Sequence, residues 1–143
     1  MPYEPSAPRA WTEPYGADLA LKVRAPDLAG AYREAAVLFG EVLAAGDRRP
    51  AQERKLALSA RDRESLLVAL MEEILFLFET EGLLPADLRL ESRSDTALTG
   101  ILDCDRFDPQ RHAPGHGVKA VTWHDLQVRD FEGGISLALI LDL

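Results

Sequence analysis

Hydrophobic and polar residues alternate from Ala17 to Val23, with Leu19, Leu21 and Val23 on one face and Asp18, Ala20 and Lys22 on the other. That period of two predicts a strand. Pro26 and Asp27 then open a helical pattern through Leu28, Ala31, Ala35, Leu38, Phe39 and Val42, closed by Gly46 near Ala45. A short alternating stretch, Lys55 to Ala60, predicts a second strand. Asp62 suits the N-cap of a second helix, and Glu64 in its first turn complements the helix dipole. Leu66, Leu67, Leu70, Met71, Ile74, Leu77 and Phe78 form an apolar arc wide enough for a central, largely buried helix that ends at Gly82.

After Gly82 the pattern is all strand. Leu88 and Leu90 begin it, Ala97–Asp103 follows, and a long loop runs from Asp105 to Gly117. Val118–Arg129 and Ile135–Leu143 complete the chain, with Glu132-Gly133-Gly134 as the hairpin turn between them. The order β-α-β-α followed by four strands predicts an α+β fold, a single domain over residues 15–143 with two helices packed on antiparallel or mixed sheet. Residues 1–14 carry Pro2, Pro5, Pro8 and Pro14 and predict an extended, flexible leader.

Composition changes this picture in three ways. The single cysteine, Cys104, has no partner within the chain, which fits a reducing, cytoplasmic setting. No apolar run approaches the roughly 20 residues of a membrane span. The formal charge of −8 weighs against dominant phosphate binding, so no direct nucleic-acid contact is expected. The charge is uneven, however: residues 61–105 hold eleven acidic and four basic side chains, whereas residues 106–129 hold four basic, two acidic and all three histidines.

Two constellations stand out as candidate chemistry. Asp18 begins the first predicted strand and Asp142 ends the last, so antiparallel pairing would make their carboxylates neighbours. With the terminal carboxylate of Leu143 they would form an oxygen-rich corner that repels itself unless a proton or a hard divalent cation enters. The loop from Phe107 to Gly117 places His112 and His116 at H-x3-H spacing between Cys104 and His124, an arrangement that also occurs in zinc sites. The following Lys119–His124 stretch puts Lys119, Val121 and Trp123 on one face of a strand and Ala120, Thr122 and His124 on the other. Glu73 lies at the edge of the second helix's apolar arc.

Phe107-Asp108-Pro109-Gln110-Arg111-His112, followed by Lys119-Ala120-Val121-Thr122-Trp123-His124, is similar to a pair of motifs of the archease family. Leu66-Leu67-Val68, Phe78-Glu79-Thr80-Glu81-Gly82 and Ile140-Leu141-Asp142-Leu143 extend that resemblance over about Ala17 to Leu143. It implies a non-catalytic accessory protein of the GTP-dependent RNA-splicing ligase, promoting guanylylation and multiple turnover of that enzyme. It further implies a metal site made by Asp18, Asp142 and Leu143, with calcium first and magnesium or manganese as alternatives. His112, Lys119, Thr122, His124 and Glu73 become candidates for the partner interface. The chain departs from the family where Tyr15-Gly16-Ala17-Asp18 replaces the usual His-Thr-Ala-Asp. It departs again at Ala69-Leu70-Met71-Glu72-Glu73, where only Glu73 of the usual polar set remains. A stand-alone metal-dependent hydrolase and a chaperone-like interaction module are the competing readings.

Overall fold

The computed structural model describes residues 9–143. Strands β1 (Arg9–Tyr15) and β2 (Asp18–Ala25) form a hairpin whose tight turn places Tyr15 opposite Asp18, with Gly16 at φ 60. Helix α1 (Leu28–Leu43) follows, its N-terminus capped by Asp27, which accepts the Gly30 N–H at 2.7 Å. A two-residue strand β3 (Ala44–Ala45) and strand β4 (Gln52–Ser59) lead to helix α2 (Arg63–Glu81). Asp62 caps α2 by accepting the Ser65 N–H at 2.7 Å, and Gly82 ends it in the left-handed conformation at φ 68. Strands β5 (Leu83–Arg93), β6 (Ala97–Arg106), β7 (Ala113–Pro114), β8 (Ala120–Val121), β9 (Gln127–Phe131) and β10 (Gly134–Asp142) complete the chain.

The α+β class with two helices thus holds, and the strands divide into separate sheets. One is the antiparallel sheet β1-β2-β10, whose far edge is shared by β8 and β9. The second is β4-β6-β5, and β3 pairs with β7 as a small clasp. Helix α1 packs on β2 and on β5, so it is clamped between the sheets, and α2 lies against α1, β4 and β5. Tyr32, Phe39, Leu66, Leu67, Leu70 and Met71 are fully buried where the layers meet. The apolar faces predicted for both helices supply this core.

Three expectations change. Residues 1–8 of the expected leader lie outside the described residues, but 9–14 are paired strand rather than flexible chain, because β1 covers the outer edge of β2. The expected single strand Val118–Arg129 is two short ones. Both pair with β10, at Leu141–Asp142 and at Gly134–Ala138, and are separated by a turn in which Asp125 takes φ 50. The alternation from Lys119 to His124 therefore stops at Val121, and Trp123 and His124 sit in a turn. The 105–117 loop contains β7, and its Gly115 is pressed so close to the Val42 carbonyl that a side chain there would collide.

Candidate metal corner and partner-facing groove

Antiparallel pairing of β2 with β10 runs through Leu141 opposite Leu19, so Asp142 and Asp18 come next in register at one end of the sheet. The corner is held by main-chain bonds. Asp18 Oδ1 accepts the Leu143 N–H at 3.2 Å, and the Asp142 carbonyl accepts the Lys119 N–H at 2.8 Å. Both aspartates are half-buried, and Leu143 lies beside them. The three residues paired by strand order are therefore together. Among the described residues, no group of three or more His, Cys, Asp or Glu is placed to hold a metal ion. A cation at this corner would have two side-chain carboxylates and would complete its shell from main-chain oxygen and water. That all-oxygen donor set fits a hard ion such as calcium and does not fit zinc.

The Cys104, His112, His116 and His124 spacing does not assemble into a zinc site. Cys104 is fully buried with its thiol directed at the Leu102 carbonyl, and burial pushes its pKa up to about 11. His124 is exposed, edge-on to Tyr15 at 5.6 Å and 3.5 Å from the Asp125 carboxylate. His116 is exposed and binds the Val42 carbonyl through its main chain.

His112 is the clearest correction. Expected to face a partner, it is interior, with a side chain 0% exposed. Its Nδ1 accepts the Asp108 N–H at 2.9 Å, which places the proton on Nε2, 2.8 Å from the Asp47 carbonyl and 3.2 Å from Asp105. Phe107 stacks on the ring at 5.8 Å. Asp105, also buried, receives both Arg111 nitrogens at 3.0 and 3.1 Å and the Arg49 N–H at 2.9 Å. Burial alone would raise its pKa, but the Arg111 fork and the Arg49 N–H outweigh it and hold the carboxyl at about 2. The Phe-Asp-Pro-x-Arg-His motif thus ties the long loop to the core.

Lys119, Thr122 and His124 do gather near the corner. Lys119 is exposed, and Thr122 donates its N–H and its hydroxyl to the Ile140 carbonyl, each at 3.0 Å. Tyr15 donates its hydroxyl to Asp125, and both this bond and burial raise its pKa. Glu73 is half-buried on α2, and no contact ties it to the corner. An open groove lies next to the corner between α2 and β8, lined by Glu72, Leu75, Phe76, Glu79, Lys119 and Ala120. Ala120 is the register partner of Asp142, so the wall of the groove adjoins the corner. Phe76 (57%) and Trp123 (54%) are the exposed large apolar side chains among the described residues. Phe76 escaped sequence reasoning, although its signal was present: it is an apolar residue on the polar side of the predicted arc.

The molecule is thus a two-helix α+β protein presenting a strand-end aspartate pair beside a half-apolar groove. A model of the Archease protein family (MTH1598/TM1083) matches residues 12–143. The chain belongs to the archease family. It is 31% identical to the protein archease of Methanothermobacter thermautotrophicus over 121 residues, 82% of this chain and 86% of that one. Similarity to the Pyrococcus furiosus archease is 32% over 89 residues, 60% of this chain and less than two thirds, 63%, of that protein. Among solved structures, Methanobacterium thermoautotrophicum protein 1598 superposes with a TM-score of 0.75 at 28% identity, covering 94% of this chain and 98% of that one. An archease from Thermotoga maritima, described as a possible chaperone, shares the fold with a TM-score of 0.64 at 14% identity, covering 92% and 96%.

Proposed function

We propose that this archease-family protein is a non-catalytic accessory of a GTP- and metal-dependent RNA-splicing ligase in the cytoplasm, promoting its guanylylation and multiple turnover. The observation that supports this most is the register of β2 against β10, which sets Asp18 beside Asp142 at a sheet end. Asp18, Asp142 and the Leu143 main chain would hold the ion, calcium first and magnesium or manganese otherwise. A bound divalent ion supplies concentrated positive charge beside phosphate oxygens. The chain's own residues shape the corner. The Lys119 N–H engages the Asp142 carbonyl, the Leu143 N–H orients Asp18, and the exposed Lys119 side chain adds a cation at the rim. The groove around Phe76 offers the ligase an apolar contact adjoining the corner.

The test is to mix the full chain with such a ligase, GTP and metal, and to follow ligase guanylylation. Stimulation lost in both Asp18→Ala and Asp142→Ala supports the reading. Unchanged stimulation in both overturns the metal role, and no stimulation by the wild-type chain overturns the accessory role. Omitting the ligase tests the stand-alone hydrolase reading, which requires turnover of substrate by this chain alone. The exposed Phe76 and Trp123 favour a second reading, a chaperone-like module. Suppression of client aggregation that is lost in Phe76→Ser, with guanylylation unaffected, would select it.

A further inference from the structure

Helix α2 turns one stripe of side chains away from the core. Glu72, Phe76, Glu79 and Thr80, spaced at i, i+4, i+7 and i+8, are all exposed. Phe76 stands in the middle of the stripe beside Leu75, and the groove they form with Lys119, Ala120 and Val121 has a volume of about 270 Å³. That is below the roughly 300–1,000 Å³ of a small-molecule pocket, and the groove is open to solvent, so it suits side chains of another protein. Thr80 turns its hydroxyl back to the Phe76 carbonyl at 2.6 Å, which takes that polar group out of the groove. The charges at the rim are a second, separate observation. After Arg63, α2 carries five glutamates and no basic residue. Elsewhere exposed acids are matched: Glu13 by Lys22, Glu53 by Arg89, Glu81 by Arg54 and Asp87 by Arg33. The side chains of Glu72 and Glu79 have no ion-pair partner among the described residues. Glu79 lies near the C-terminus of α2, where the helix dipole is negative and no basic residue of the last turn offsets it.

We propose that this groove seats a basic amphipathic helix of a protein partner. An apolar side chain of that helix packs on Phe76 and Leu75, and a Lys or Arg one turn to either side meets Glu72 and Glu79. The spacing fits: seven residues separate the two glutamates, about 10.5 Å along α2, and a second helix lying beside it repeats the same rise. An added strand is a poorer occupant, because β8 is two residues long and offers too little edge to template one. Nucleic acid and anionic lipid are repelled by the two carboxylates, against which Lys119 is the single cation of the lining. A second copy of this chain has no such helix to give. Its α1 carries one basic residue, Arg33, and its α2 one, Arg63, and both are held by aspartates. The inference rests on the groove being a partner contact, as proposed above, and adds what the partner presents there; it does not depend on the metal corner.

The experiment is an NMR titration of the full chain with a synthetic alanine-based helical peptide carrying Lys at i and i+7 and Leu at i+4. Amide shifts should cluster at residues 72–80 and 119–121. Phe76→Ser, or Leu replaced by Ala in the peptide, should weaken binding by about tenfold. The double variant Glu72→Lys, Glu79→Lys should reverse the preference, binding a peptide with Glu in place of each Lys more tightly than the original. Glu91→Lys makes the same charge change at an exposed site off the groove and should leave binding within about twofold. All these positions are exposed, and the dispersion of the same spectra reports whether each variant is folded. Absence of binding by the wild-type chain overturns the proposal, as does an unchanged preference in the double variant or shifts centred away from α2. Stimulation of a ligase by a wild-type chain that binds no peptide overturns this proposal and leaves the ligase reading standing. Peptide binding in the groove without such stimulation supports this proposal and overturns the ligase reading.

Discussion

Asp105→Asn is the most informative single substitution, because it removes one buried charge and leaves its cage standing. In the wild type the carboxylate is 2% exposed and receives the Arg111 fork and the Arg49 N–H. Its pKa falls from the usual 3.8 to about 2 in the folded protein. At about 1.4 kcal/mol per pH unit, that difference is worth about 2.5 kcal/mol of stability. The folded value lies below the unfolded one, so this stability is fully present above about pH 4 and is lost as pH falls through about 2. Chemical denaturation of both proteins should therefore show the Asp105→Asn variant about 2–3 kcal/mol less stable at pH 7, or roughly 8 °C lower in Tm. The gap should narrow steadily between pH 4 and pH 2. Other carboxylates with lowered pKa values, such as Asp62 and Asp103, titrate alike in both proteins and cancel in the comparison. A gap that stays constant down to pH 2 would refute the assignment of the energy to this ionised cage.

Other outcomes are expected elsewhere. Asp62→Ala deprives the Ser65 N–H of its acceptor and should cost about 1 kcal/mol in urea denaturation, with Asp62→Ser recovering most of it. Gly115→Ala places a methyl group against the Val42 carbonyl and should cost about 2 kcal/mol by the same measurement, because the β3–β7 clasp must shift to admit it. Cys104, fully buried with its pKa pushed up to about 11, should resist a thiol reagent at pH 8 in the native protein and react at once in urea. Rapid labelling of the native chain would contradict its burial.

Both helices, with their Asp27 and Asp62 caps and the Gly82 terminator of the second, were legible in the sequence because helix signals lie within a few residues of one another. The β2 alternation was legible for the same reason. The nearness of Asp18 and Asp142 also followed from sequence, since it needed only the correct pairing of the first predicted strand with the last. The family motifs marked the 107–124 segment as special, but its geometry belonged to the tertiary structure. His112 reads as a polar loop residue until Asp47, Asp105 and Phe107 close around it from separate parts of the chain. Lys119 to His124 reads as one strand until its contact with β10 ends at Thr122 and the chain turns at Trp123. The proline-rich start reads as a free leader until the open edge of β2 takes up Arg9–Tyr15. Phe76 shows the same limit. Whether an apolar helix position is covered depends on how elements distant in the chain pack, here α2 against β8. The sequence alone determined the two helices, most of the longer strands and one end-to-end pairing. The tertiary structure decided what is buried, what is displayed and which charges meet, because those follow from contacts that no local period encodes.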